Sequence, residues 1–84
     1  MENLEEKFKQ AQASSRNLPS QSNDNLLSLY ALFKQATEGD VSGSKPNMFD
    51  FKGAAKYDAW SSKKGLSKEE AMKQYVELVA KLGG

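Results

Sequence analysis

An all-α domain of four helices is the fold class this 84-residue chain predicts, and three observations predict it. Apolar residues recur at three- and four-residue spacing in four separate stretches. Cap and stop residues bracket those stretches. No segment alternates apolar and polar residues convincingly as a half-buried strand would. The length allows one domain, residues 1–84, because a second core would not fit.

The first helix is expected over Leu4–Ser15, where Leu4, Phe8, Ala11 and Ser15 share a face. It must stop near Asn17-Leu18-Pro19, since proline disfavours a helical residue before it. The second starts at Ser22 or Asn23, both good N-caps, and runs to Glu38. Gly39 then sits where a left-handed residue closes a helix. A loop follows, Val41 to Met48; counted from Gly39 it spans roughly ten residues, against 2–8 in most bundles. Either its flanking helices stand far apart or the loop has a task. The third helix is expected from Asp50 or Phe51 to Ser62, closed by Lys63-Lys64-Gly65. The fourth opens on a capping box, with Ser67 at N-cap and Glu70 at N3, and ends at Gly83. Short turns between helices one and two, and between three and four, predict adjacent pairs, with a crossover allowed between the pairs.

Composition removes several function classes. The chain has no cysteine and no histidine, so disulfides, structural zinc sites and histidine-based catalytic triads are excluded. Net charge is +1, too low for a generic polyanion binder. The charge is uneven: between Lys45 and Lys64 five lysines face only Asp50 and Asp58. No apolar run approaches the ~18 residues of a membrane span. The acidic start from Met1 to Glu6 resembles no signal peptide, and Glu2 forbids N-myristoylation. A cytoplasmic location is the expectation.

The second helix carries more apolar surface than one contact face requires. Advancing 100° per residue from Leu26, the apolar groups Leu32, Ala36, Leu29, Phe33, Leu26, Tyr30 and Leu27 fill an arc. That arc is roughly 220° wide, where a little over ~100° suffices for a helix packed on one side. Ser28, Gln35, Ala31 and Glu38 form the remaining face. Three explanations stay open: a central helix touched on two sides, a wall of a ligand cavity, or a groove for a partner helix. Lys34 interrupts the arc, and a cation there suggests an anionic companion or outward snorkelling.

On the third helix, Lys52 and Lys56 share a face, and Trp60 continues the line. They read either as a solvated lysine stripe or as a phosphate-binding edge. Tyr75, Tyr57 and Trp60 read first as packing residues that also have the chemistry to line a site.

The segment Leu29-Tyr30-Ala31-Leu32-Phe33-Lys34-Gln35-Ala36-Thr37-Glu38-Gly39-Asp40 resembles the hallmark block of the acyl-CoA-binding protein family. The runs Lys45-Pro46-Asn47-Met48 through Trp60, and Lys64-Gly65-Leu66-Ser67 through Tyr75, resemble its second and third blocks in family order. The resemblance implies a four-helix bundle of up-down-down-up type that binds one medium- or long-chain acyl-CoA ester, needs no cofactor or metal, and has no catalytic residues. It also implies a monomeric carrier, with membranes and acyl-CoA-using enzymes as possible recipients and no nucleic-acid partner.

Carried over residue by residue, the resemblance gives Tyr30, Lys34 and Tyr75 contacts to the ligand, with Tyr30 and Lys34 at the CoA head. Lys52 joins them, and Lys56 takes the ribose 3′-phosphate. Adenine falls against Phe33, with Ala31 and Leu32 lining the site.

Four positions depart from the family pattern. Phe33 stands where tyrosine is usual, Tyr57 where tryptophan is usual, and Ala54 where lysine is frequent. Arg16 is the candidate for a ligand-contacting lysine near the end of helix one. The function implied is sequestration of the thioester rather than its hydrolysis. A helical interaction module or a nucleic-acid binder using the 45–64 lysines is the alternative.

Overall fold

A computed structural model describes residues 3–83; Met1, Glu2 and Gly84, the ends of the expected domain and acidic start, lie outside the described residues. Among the described residues there are four helices and no strand: α1 Leu4–Ser15, α2 Asn23–Glu38, α3 Phe51–Ser61 and α4 Lys68–Lys81. The boundaries follow the caps. Asn3 accepts the Glu6 N–H at 2.8 Å and Ser22 accepts the Asn25 N–H at 3.2 Å. Asp50 accepts the Gly53 N–H, and Ser67 the Glu70 N–H, each at 3.0 Å. The predicted capping box is half formed, because the Glu70 carboxylate takes the Gln74 amide.

Gly39 closes α2 with φ 83° and ψ −151°. The positive φ was expected, but this ψ lies outside the left-handed helical well, in a region essentially reserved for glycine. The reason is local: the Gly39 carbonyl turns to accept the Trp60 indole N–H at 2.8 Å.

The helices run up-down-down-up. Residues at the start of α1 share a depression with the start of α4, and the later parts of both helices share another, so this pair is parallel. The starts of α2 and α3 adjoin, and Tyr30 and Lys34 meet Lys56 and Trp60 in the same order, so these too are parallel. The end of α2 meets the residues leading into α4, which makes that pair antiparallel. A parallel α2–α3 pair explains the long loop. The chain must return the length of α2, ~24 Å at 1.5 Å per residue, before α3 can start beside it.

The expectation of adjacent consecutive helices is corrected here. α4 packs between α1 and α2, and α3 packs on α2 alone. No Cα of α1 comes within 8 Å of α2, and none of α3 within 8 Å of α4. Six- and seven-residue connections, here 62–67 and 16–22, are long enough to step over a neighbour, so a short turn did not dictate pairing.

The core joins α1, α2 and α4 through Phe8, Ala11, Leu29, Leu32, Ala36, Ala71, Tyr75 and Val79. At its polar edge, fully buried Gln35 donates to Asp40 Oδ1 and to the Leu66 carbonyl, both at 2.8 Å. Asp40 Oδ1 also accepts the Gly65 N–H at 2.9 Å. These bonds favour the carboxylate. The Gly65 N–H, then the Gln35 amide, hold its pKa below the ordinary value against a smaller opposing effect of burial.

A lowered folded-state pKa means the unfolded chain binds the proton more readily. This contribution is therefore complete above about pH 4 to 5 and is lost as pH falls through the folded value. Asp40→Asn should flatten the acid limb of a Tm-against-pH profile, the two proteins converging at low pH. Parallel profiles would show that Asp40 carries no such linkage.

Candidate functional site

The burial of α2 does not coincide with its apolar arc. Its buried residues are Leu29, Ala31, Leu32, Gln35 and Ala36. On the wheel, burial therefore extends through Ala31 and Gln35, which the sequence assigns to the remaining face, and stops short of Leu26, Tyr30 and Leu27. Leu26 is exposed, and Tyr30, Leu27, Phe33 and Lys34 are only partly buried. The buried amide of Gln35 explains the shift, since its two hydrogen bonds to the loops let a polar residue enter the interior. The excess apolar surface is left facing α3.

There α3 makes a loose wall. It buries only Trp60, and the radius of gyration, 13.0 Å, exceeds the ~12 Å expected for a compact chain of this length. Between the two helices lies a groove of about 460 Å³, lined by Asn23, Leu26, Leu27, Phe51, Lys52, Ala55 and Lys56. Two larger depressions, about 550 and 580 Å³, are lined mainly by charged and polar residues of α4 and its neighbours. None of their lining residues but Leu32 is a sequence-predicted site residue.

At the seam above the groove, two cation–ring pairs stack along the helices. Lys56 Nζ lies 5.3 Å from the Tyr30 ring centroid. Lys34 Nζ lies 4.8 Å from the Trp60 ring centroid and is also paired with Glu38. Because α2 and α3 are parallel, the four-residue steps from Tyr30 to Lys34 and from Lys56 to Trp60 match in register. The arrangement places two ammonium groups beside an apolar slot. Lys34 already shares its ammonium with Glu38, whereas Lys56 and Lys52 make no ion pair among the described residues.

A second cluster lies on the α1–α4 side. Phe8, Phe33 and Tyr75 form an aromatic trio, with Phe8 to Tyr75 edge-on at 5.1 Å and Phe8 to Phe33 at 6.1 Å. The Tyr75 hydroxyl donates to Ser15 Oγ at 3.3 Å, and that oxygen's own proton goes to the Gln12 carbonyl. Tyr75 is thus a core residue whose hydroxyl already has a protein partner.

The structure brings together Tyr30, Lys34, Lys52 and Lys56, with Phe33 on the adjoining face of α2. It does not bring Ala31 and Leu32 to the groove. Steps of 100° and 200° from Tyr30 turn both side chains into the interior. Arg16 is the exposed C-cap of α1, its side chain in no ion pair among the described residues.

Sequence reasoning reached Leu26 and Leu27 only as part of the α2 arc and did not nominate Phe51 or Ala55. The signal was available in Phe51 beside Lys52 and in the open end of the α2 arc. Tyr57 turns out to have a chemical role, because its hydroxyl donates to the Gly43 carbonyl at 3.2 Å and tethers the long loop. No three potential metal ligands cluster among the described residues, and no helix there is long and apolar enough to cross a membrane.

The family model described as "Acyl CoA binding protein" matches residues 5–79. The chain is 62% identical over 63 residues to "Acyl-CoA-binding protein homolog 1" of Caenorhabditis elegans, covering 75% of this chain and 73% of that one. It is 52% identical to "Acyl-CoA-binding protein homolog" of Manduca sexta, covering 95% and 96%. Its fold superposes on the crystal structure of Oryza sativa Acyl-CoA-Binding Protein 2 with a TM-score of 0.93, at 42% identity and 95% and 90% coverage. The match extends through every helix that builds the groove and the seam, and on it the chain belongs to the acyl-CoA-binding protein family.

Proposed function

We propose that this protein binds one medium- or long-chain acyl-CoA ester and carries it, as a cytoplasmic monomer, away from bulk water. The observation that supports this most directly is the unfilled α2–α3 groove, apolar along Leu26, Leu27, Phe51 and Ala55 and edged by Lys52 and Lys56. An acyl tail in that groove gains ~0.8 kcal/mol per buried methylene, so affinity rises with chain length until the slot is full. The phosphates of the head meet Lys52, Lys56 and Lys34, whose ammonium is shared with Glu38. Tyr30 lies between the two lysine rows and holds the Lys56 ammonium on its face. Phe33 offers an aromatic edge to the base. The role is binding, with no bond made or broken.

Calorimetric titration with palmitoyl-CoA, CoA and palmitate tests the proposal. The ester should bind at 1:1 and far more tightly than either fragment, because only the ester satisfies groove and lysines together. Equal affinity for all three, or none, would overturn it.

A further inference from the structure

Lys34 comes to the seam with its charge already answered. Its ammonium lies 4.8 Å from the Trp60 ring centroid and is paired with the Glu38 carboxylate. The ring is itself fixed, because the Trp60 indole N–H donates to the carbonyl of Gly39, the residue after Glu38, at 2.8 Å. Ring and carboxylate thus hold the ammonium at one corner, near the end of α2. The other two lysines of the site differ: Lys52 and Lys56 make no ion pair among the described residues.

Stability does not account for Glu38. It is the last residue of α2, a helix with no basic residue in its final turn. A carboxylate there faces the negative end of the helix dipole. A lysine four residues ahead of a glutamate is also the weaker order for such a pair. Water reaches both partners, with side-chain exposures of 22% for Lys34 and 52% for Glu38, and pairs of that kind contribute little to folding. The other charges at this corner are engaged differently. Asp40 accepts from Gln35 and from the Gly65 N–H. Lys68 passes beside Gly39, its Cε 3.6 Å from where a β-carbon on that glycine would stand, and makes no ion pair among the described residues.

What the carboxylate does change is the corner's hold on a second anion. A phosphate on Lys34 shares the ammonium with Glu38 and so stands close to another negative charge. Two unit charges about 6 Å apart in a solvent-like dielectric repel enough to weaken binding about three- to tenfold. The tail escapes this effect. Leu27, the groove residue of α2 nearest in sequence, lies ~16 Å back along the helix from Glu38, beyond the reach of a screened charge.

We propose that Glu38 is a specificity-determining residue of the site, a built-in competitor that holds down the contribution of the anionic head. This role rests on the acyl-CoA reading and deepens it. With Lys34 partly neutralised, the head alone binds weakly, and a ligand is retained only when its tail also fills the groove.

The test is calorimetric titration of palmitoyl-CoA and of CoA into wild type, Glu38→Gln, Lys34→Ala and the double variant. Glu38→Gln should bind both ligands about three- to tenfold more tightly than wild type. Its affinity should also fall more steeply with added salt, because Lys34 then presents an unmatched charge. Its melting temperature should equal or slightly exceed that of wild type, since a carboxylate leaves the helix C-terminus. Lys34→Ala should cost more affinity in the Glu38→Gln background than in wild type, the mark of direct coupling. Glu77→Gln makes the same charge change on α4, in a depression away from the groove, and should leave affinity as it was.

Unchanged or weaker binding by Glu38→Gln overturns the proposal. So does an equal gain with and without Lys34, or a matching gain from Glu77→Gln, because Glu38 would then be one part of a diffuse field. All of these results leave wild-type binding of palmitoyl-CoA, and with it the carrier reading, standing. Failure of wild type and Glu38→Gln alike to bind the ester would sink the carrier reading and the role of Glu38 together.

Discussion

Lys56→Ala should weaken palmitoyl-CoA binding by one to two orders of magnitude while leaving the fold unchanged. A charge-assisted hydrogen bond to phosphate is worth ~1.5–3 kcal/mol, which is about 10- to 150-fold in affinity. Lys56 is exposed and forms no ion pair among the described residues, so its removal costs stability no more than about 0.5 kcal/mol. The Tyr30 ring over which its ammonium sits stays in place beneath the vacancy.

Two controls give the experiment its force. Lys45 is already matched by Asp58, so Lys45→Ala should leave affinity near wild type. Lys34 is paired with Glu38, so Lys34→Ala should lose less than Lys56→Ala. A ligand lacking the ribose 3′-phosphate adds a double-mutant cycle. Wild type should lose affinity for it, and the Lys56 variant should not lose further. If instead the three lysine variants lose equally, the attraction is a diffuse field rather than a contact, and the assignment of Lys56 to a phosphate fails.

The sequence made the helices legible because their ends are written in single residues. Asn3, Ser22, Asp50 and Ser67 each supply the side-chain acceptor that a helix N-terminus needs, and no distant part of the chain decides that. Pairing of helices was another matter. Turn length suggested neighbours, yet the chain steps over α4, which packs between α1 and α2.

The site was legible in part for the same reason. Tyr30 with Lys34, and Lys56 with Trp60, are four-residue steps visible on a wheel. That the two pairs face each other depends on α2 and α3 being parallel, which the long loop permits without announcing. Ala31 and Leu32 follow Tyr30 in sequence but point away from it on the helix, into the interior. Gln35 misled because the partners that admit its amide N–H groups to the interior lie elsewhere in the chain, while its buried Oε1 is left without a partner. Here they come from Asp40 and Leu66, and Leu66 lies 31 positions further along the chain.

Phe8→Ala should be the most damaging truncation on the α1 side. The ring is 5% exposed and is held edge-on by Tyr75 and obliquely by Phe33. Emptying such a position typically costs 3–5 kcal/mol, for lost burial and for the cavity left behind. Small domains have only about 5–15 kcal/mol in total. With Tm falling about 4–8 °C per kcal/mol at this size, a drop of roughly 12–40 °C is expected. In urea the midpoint should fall with little change in slope.

Phe49→Ala is the matched control, the same atoms removed from a side chain in water, and should change stability by no more than about 0.5 kcal/mol. The consequence reaches the site through Phe33. Without Phe8 behind it, that ring loses the neighbour that fixes its face, so whatever Phe8→Ala protein remains folded should also bind ligand more weakly than wild type. Equal melting temperatures for the two alanine variants would mean that α1 is not anchored by Phe8, and the aromatic trio would have to be abandoned as the support of Phe33.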